Sequence, residues 1–464
     1  MSAQRTIFTG GTILTMDSAL GIVENGDLLI EGDKILDIGR GLAVTDAKVV
    51  DARHMIVSPG FVDTHRHVWQ TQLRTVATNW SLFNYFTQMR SIYSGYYQPN
   101  DAYLGNLIGA LEAIHAGITT IVDHSHIMNS PDHSDEAVRG LQESGIRGIF
   151  CYGLFDNPES WSDTPPNLPD GWRTQDAHRI RRDKFSEGDL LQFGLAPSEV
   201  VSSTIGEIAE ELELARQLGS KRISCHVSMG QYDTGIQTVR QMFEAGLLAD
   251  DLLFVHGSTL TDDELKWMAD SGAALSVTPE TELQMAMGHP CAVRAMAAGV
   301  QTSLGIDIVS SFSGDMQSQM RLLLQAQRGF ENNQLDGPPQ EIRFKAKEVL
   351  DLATLGGAKA LGWEANIGSL KPGKQADIVL TNCSDINMVP VIDPVGALVL
   401  NANPYNIDSV YIAGRVVKEK GQLVDVNWSD LVEHLRESSS RIRNGFLSED
   451  LSQLENLVAP QMLR

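Results

Sequence analysis

Residues 59–69 read PGFVDTHRHVW. The apolar pair Phe61 and Val62 leads through Asp63 to two histidines one residue apart, His65 and His67. In an extended strand, side chains at i and i+2 share a face. His65 and His67 therefore point one way, and Thr64 and Arg66 the other. An apolar run that ends on two imidazoles reads as a buried strand opening onto a polar rim. On its own the HxH pair is a weak signal, so the other strand ends have to decide.

Seven more apolar runs follow: GITTIVDHSH, IRGIFCYG, LLQFGLAP, RISCHVS, LLFVHG, AALSVTP and VQTSLGID. Helical stretches such as STIGEIAEELELARQLG and TDDELKWMADSG separate them. In the first of these, Ile205, Ile208, Ala209 and Leu212 recur near helical spacing, Ser203 or Thr204 caps it and Gly219 stops it. Eight strand–helix units over roughly 300 residues fit a (β/α)8 TIM barrel, an α/β fold. An open doubly wound sheet is the weaker alternative, because no Gly-rich phosphate loop follows the first strand.

The chain ends have a different texture. RTIFTGGTILTM, GDLLIEGDKILDIG and AKVVDARHMIVS read as strands broken by Gly and Asp turns, and GKQADIVLTN and SVYIAGRVVKEKGQLV return to that pattern. The organisation expected is a β-sandwich part over 1–57, a barrel over 58–364, a second sandwich part over 365–427 and a helical extension over 428–464. That extension is amphipathic and packs either on the barrel or on a second subunit. WSDTPPNLPDGWRT, 161–174, reads as a long surface loop.

The chain has 464 residues, 42% hydrophobic and 20% charged, with a formal net charge of -23. That sign disfavours a phosphate backbone as partner, so no nucleic acid is expected. No apolar stretch reaches the ~18 residues of a membrane helix, and no secretory h-region is visible, so a cytoplasmic enzyme is expected. Cys151, Cys225, Cys291 and Cys383 are scattered, which argues against a disulfide framework.

The rim pattern of His65 and His67 repeats. The fifth run ends in His226, the sixth in His256 and the eighth in Asp307. With these motifs, GITTIVD and the late GSLKPGKQADIVL, the chain resembles the amidohydrolase superfamily, in its cytosine-deaminase-like and chlorotriazine-hydrolase-like branch. The resemblance covers nearly the whole chain. It implies a barrel with a small β-sandwich built from both ends. It also implies one divalent metal, zinc first and iron second, held by His65, His67, His226 and Asp307. His256 would hydrogen-bond the attacked group or the metal-bound water, and Asp307 would take a proton from that water.

One position departs from the branch. A Glu is expected three residues after the fifth-strand histidine, but position 229 is Met, and a thioether moves no protons. Glu280 and Glu282, just past the seventh run, are the candidate replacements. Met229 itself suits an apolar pocket. The segment 69–97 concentrates aromatic residues; Trp69, Gln72 and Trp80 are expected nearest the substrate. His124 and His126 form a second HxH, expected to contact substrate or support the ligands.

The function expected is hydrolysis of a carbon–nitrogen bond of a small heterocyclic or aromatic substrate by a homo-oligomer, such as a dimer. The alternative, suggested by Met229, is cyclodehydration to a cyclic amidine. A metal-free binding protein is disfavoured by the intact ligand positions.

Overall fold

The computed structural model describes residues 4–157 and 168–449. The first part of the expected surface loop, 161–167, and residues 450–464 of the expected extension lie outside the described residues. The N-terminal region forms β1 (Arg5–Leu14), β2 (Ile22–Glu31), β3 (Lys34–Gly39), β4 (Lys48–Asp51) and β5 (Met55–Pro59). The barrel strands are β6 (Phe61–Arg66), β7 (Ile118–Ser125), β8 (Arg147–Gly153), β9 (Leu191–Ala196), β10 (Ile223–Val227), β11 (Leu252–His256), β12 (Ala274–Val277) and β13 (Gln301–Leu304). Four more strands follow: β14 (Ile378–Asn382), β15 (Ile407–Ile412), β16 (Arg415–Glu419) and β17 (Gln422–Leu423).

Strands β6 to β13 pair in sequence order, all parallel. β6 and the end of β13 close the ring. The N–H of Asp307 donates to the His65 carbonyl (2.8 Å), and the N–H of His67 donates to the Asp307 carbonyl (2.7 Å). β7 is buried along its whole length, as a strand covered on both faces must be. The TIM barrel read from the sequence is therefore the fold.

The second sheet runs in the order β17-β16-β15-β14-β5-β1-β2-β3, with β4 on β1. It joins strands from both chain ends around Phe8, Ile13, Leu28, Val57, Ile378 and Leu380. The chain changes sheets inside the opening stretch: β5 ends at Pro59 in this sheet and β6 begins at Phe61 in the barrel, divided at Gly60. A Cβ there would stand 2.0 Å from Thr119 Oγ1, so only glycine permits the change of sheet. The helix Trp428–Leu447 packs on the same chain: Phe446 stacks on Tyr93 at 4.1 Å, and Ser438 Oγ donates to Asp101 Oδ1 at 2.6 Å. All four cysteines are free. Among the described residues no helix is long and apolar enough to cross a membrane.

Candidate metal centre and pocket

The strand ends bring His65, His67, His226, His256 and Asp307 to one place at the C-terminal rim of the barrel. All five are at most 5% exposed. Asp307 Oδ1 lies 3.5 Å from His65 Nε2 and 3.3 Å from His67 Nε2. His226 Nε2 lies 3.3 Å from His65 Nε2. Four ligands about 2.0–2.1 Å from a zinc ion stand roughly 3.3–3.4 Å apart at tetrahedral angles. These three separations are close to that spacing, so the donors fit a divalent ion; His256 with His65 and His226, and His126 with His67 and His226, converge as well.

Electrostatics suit the same role. Burial drives His65 down to about 4 and His67 well below its usual range, leaving neutral imidazoles with free lone pairs. Burial pushes the Asp307 carboxyl up, but the His65 hydrogen bond and the His67 and His256 rings hold it well below the carboxylate range. Asp307 and His256 both sit at positive φ, +71° and +75°, an uncommon backbone for residues with side chains.

Three of the rings, those of His67, His226 and His256, are fixed by their other nitrogen, whereas His65 Nδ1 has no hydrogen-bond partner. His67 Nδ1 is 2.8 Å from the His124 carbonyl. His226 Nδ1 donates to Glu199 Oε2 at 3.1 Å. His256 Nδ1 lies 2.9 Å from Thr278 Oγ1, whose backbone N–H donates to Glu282 Oε1 at 2.7 Å. Burial alone would depress His256; the Glu282 and Asp307 carboxylates outweigh it and raise its pKa.

A pocket opens over these groups. Its lining includes His67, His226, His256 and Asp307, with Leu82, Tyr85, Phe86, Arg90, His126, Glu199, Met229, Thr281, Met285 and Ile308. Met229, 3% exposed, lines it as the sequence suggested. Several other expectations need correction. Trp69 does not line the pocket; it is fully buried, with its ring edge-on to Tyr97 at 4.9 Å. Gln72 spends its amide on the Asp101 carbonyl, and Trp80 packs near Tyr93. Leu82, Tyr85, Phe86 and Arg90 of the same segment take their place.

His124 is also behind the wall. It stacks on His226 at 4.3 Å, contacts Ser224 Oγ at 2.9 Å and is not among the lining residues. Glu280 faces away from the pocket, accepting from Gln319 Nε2 at 2.8 Å. Glu282 lies beneath His256, 3.8 Å from its Nδ1, and has no place on the lining. Neither fills the gap at Met229. The sequence reading missed Glu199 and Arg90. Glu199 stands three residues past β9, where a strand-end search would have found it. Arg90 is one of two arginines, with Arg74, inside the aromatic segment.

A rim of histidines and one aspartate at the C-terminal end of a parallel barrel defines a metal-dependent barrel hydrolase. The model of the Amidohydrolase family matches residues 56–417, and the chain belongs to that family. A 5-methylthioadenosine/S-adenosylhomocysteine deaminase of Symbiobacterium thermophilum is 27% identical over 450 residues, 95% of this chain and 99% of that one. An adenosine deaminase from Xanthomonas campestris, solved with bound zinc, superposes with a TM-score of 0.84 at 23% identity, over 95% of this chain and 98% of that one. The zinc complex of an atrazine chlorohydrolase from Arthrobacter aurescens gives 0.80 at 22% identity, over 94% and 100%. The two solved structures speak for the fold.

Proposed function

We propose that the protein hydrolyses a carbon–nitrogen bond of a flat nitrogen heterocycle, in the manner of a deaminase, with one zinc ion held by His65, His67, His226 and Asp307. The observation that carries this reading is the 3.3–3.5 Å spacing of three donor pairs, His65–Asp307, His67–Asp307 and His65–His226, which link the four residues. The deaminase relative supports the reaction class, and the zinc in both solved neighbours supports the metal over iron.

When bound, such an ion lowers the pKa of water to roughly 7 and supplies a nucleophile at neutral pH. The protein's own groups do the rest. Asp307, held as a carboxylate, is the acceptor for the proton that the nucleophile gives up. His256 has Nδ1 engaged by Thr278, so Nε2 is the nitrogen left to face the reacting group. Leu82, Phe86, Met285 and Ile308 give apolar walls for a flat ring. Met229 adds to those walls and moves no proton, the one observation favouring cyclodehydration as a second reading.

The test is direct. Zinc-loaded protein is incubated with a panel of aminated heterocycles, and ammonia and product mass are followed. Ammonia release with the amino group replaced by oxygen supports hydrolysis. Loss of one water from a single substrate, with no ammonia, would replace it with ring closure.

A further inference from the structure

The loop between β14 and β15 turns its polar side chains inward and its apolar ones outward. Asn406 is fully buried, and its Nδ2 donates to Asp385 Oδ2 at 2.8 Å and to Asn387 Oδ1 at 3.0 Å. Asn387 Nδ2 donates in return to Asn406 Oδ1 at 3.0 Å and to the Asn401 carbonyl at 3.1 Å. Arg321 Nη2 donates to the Ala402 carbonyl at 2.8 Å and ties the loop to the barrel. These bonds bring Ile386, Leu400 and Tyr405, chain neighbours of the bonded asparagines, to one place. Ile386 is fully exposed, Ile392 is 91%, Tyr405 79% and Val389 59% exposed, and Leu400 is exposed beside them. Among the described residues, five of the sixteen exposed large apolar side chains fall within 386–405, so they form a cluster and not an ordinary scatter.

Covering these five would take several hundred Å² of apolar surface out of water, on the order of the ~800 Å² that each partner brings to a stable interface. Charge decides what covers them. The chain has a formal net charge of -23, yet 386–407 holds one charged residue, Asp393, and no Lys or Arg. An anionic lipid surface calls for basic residues beside the apolar ones, and this loop has none. Two copies of so acidic a chain repel each other wherever carboxylates meet. An uncharged apolar patch is a face on which they can approach. In a two-fold dimer the same patch meets itself, so it must be self-complementary. Apolar side chains meet that demand with no matching of signs. The hydrogen-bonded loop is held in advance, so little ordering entropy opposes the contact.

We propose that the 386–405 loop is the surface through which two copies of this chain pair about a two-fold axis. None of its residues lines the pocket over the metal ligands, so the pairing stands apart from the reaction proposed there.

Sedimentation velocity on the full-length, zinc-loaded protein tests this. A species of twice the 50.8 kDa chain mass is expected. Ile386→Glu combined with Ile392→Glu sets like charges across the contact and should raise the dimer dissociation constant by about 100-fold or more. Phe243→Glu, at an exposed apolar residue on the helix Thr238–Glu244, should leave the dimer intact. Added salt should tighten the dimer of the unmodified protein, because it screens the repulsion between two acidic chains. A monomeric parent, a dimer that survives both glutamates, or a dimer that salt dissociates would each overturn the proposal. If the double variant does not fold, Tyr405→Ser alone still decides: it should raise the dissociation constant about tenfold or more, and an unchanged constant would overturn the proposal.

Discussion

Glu199 Oε2 accepts from His226 Nδ1 at 3.1 Å, joining the loop after β9 to a metal-ligand candidate on β10. Burial raises the Glu199 carboxyl, but the His226 and Arg90 charges bring its pKa below the usual value. A carboxylate behind a ligating imidazole fixes the ring and makes it a stronger donor. Glu199→Ala is therefore expected to weaken zinc binding by about 10–100-fold. Competition against a chromophoric chelator measures this, and unchanged affinity would remove Glu199 from the metal site.

Asp307 offers a cleaner removal of one ligand. Its φ of +71° is tolerated by asparagine, so Asp307→Asn keeps both shape and backbone. The neutral amide is a poorer ligand for a divalent ion. Zinc should raise the melting temperature of the unmodified protein, by mass action on the folded state, and raise that of the variant far less. The metal-free proteins should melt within a few degrees of each other. A variant that gains as much from zinc as the parent would take Asp307 out of the ligand set.

Glu280 tests the opposite point, that its carboxyl lies outside the chemistry. Burial, and then the Asp315 carboxylate, push its pKa from 4.5 to about 8. Between those values the folded chain holds a proton that the unfolded chain has lost. Its contribution is fully present below pH 4.5 and is lost as pH rises to about 8. Glu280→Gln keeps an acceptor for Gln319 and removes the titration. The variant should match the parent below pH 4.5 and exceed it by roughly 2 kcal/mol above pH 8, after allowance for partial exposure. Urea midpoints across this range measure it, and turnover should be unaffected.

The histidine rim was legible because strand geometry fixes it. Period two sets the faces of His65 and His67, and an apolar run that stops marks where His226, His256 and Asp307 emerge. The exact point of the change of sheet, Gly60, was less visible, since only Ser58, Pro59 and Gly60 separate the apolar residues of β5 from those of β6. The pocket walls were read wrongly for a physical reason. Local aromatic density marks where large side chains are, but burying Trp69 in the packing gains more than exposing it to a cavity. Arg90 lines the pocket from the last position of a short helical turn, Tyr85–Arg90, and no periodicity in the sequence announces that.

Gly230 fixes where Met229 lies. Its φ is +79°, and a Cβ there would come within 2.1 Å of the Met287 carbonyl oxygen. Both the strain and the clash fall on backbone, which cannot swing aside. Gly230→Ala is expected to cost about 2–4 kcal/mol and to lower the melting temperature by several degrees. Because Met229 precedes it and lines the pocket, ligand binding should weaken as well. A variant as stable as the parent would show that this loop is not held as described.

Glu282 reaches the chemistry through His256. Its Oε1 accepts from the Thr278 backbone N–H at 2.7 Å and sits 3.4 Å from the Thr278 hydroxyl, which in turn meets His256 Nδ1 at 2.9 Å. The carboxylate thus holds both Thr278 and the orientation of His256 while standing clear of the lining. Removing it should leave metal affinity intact, because none of His65, His67, His226 or Asp307 depends on it. The His256 ring would lose its fixed tautomer, so Glu282→Ala should lower kcat by about 10–100-fold with little change in KM. Glu282→Gln retains an acceptor for the Thr278 N–H and should recover part of that loss. Loss of zinc in either variant would mean that Glu282 supports the metal site and not His256, and a kcat equal to the parent's would mean that His256 is held by Thr278 alone.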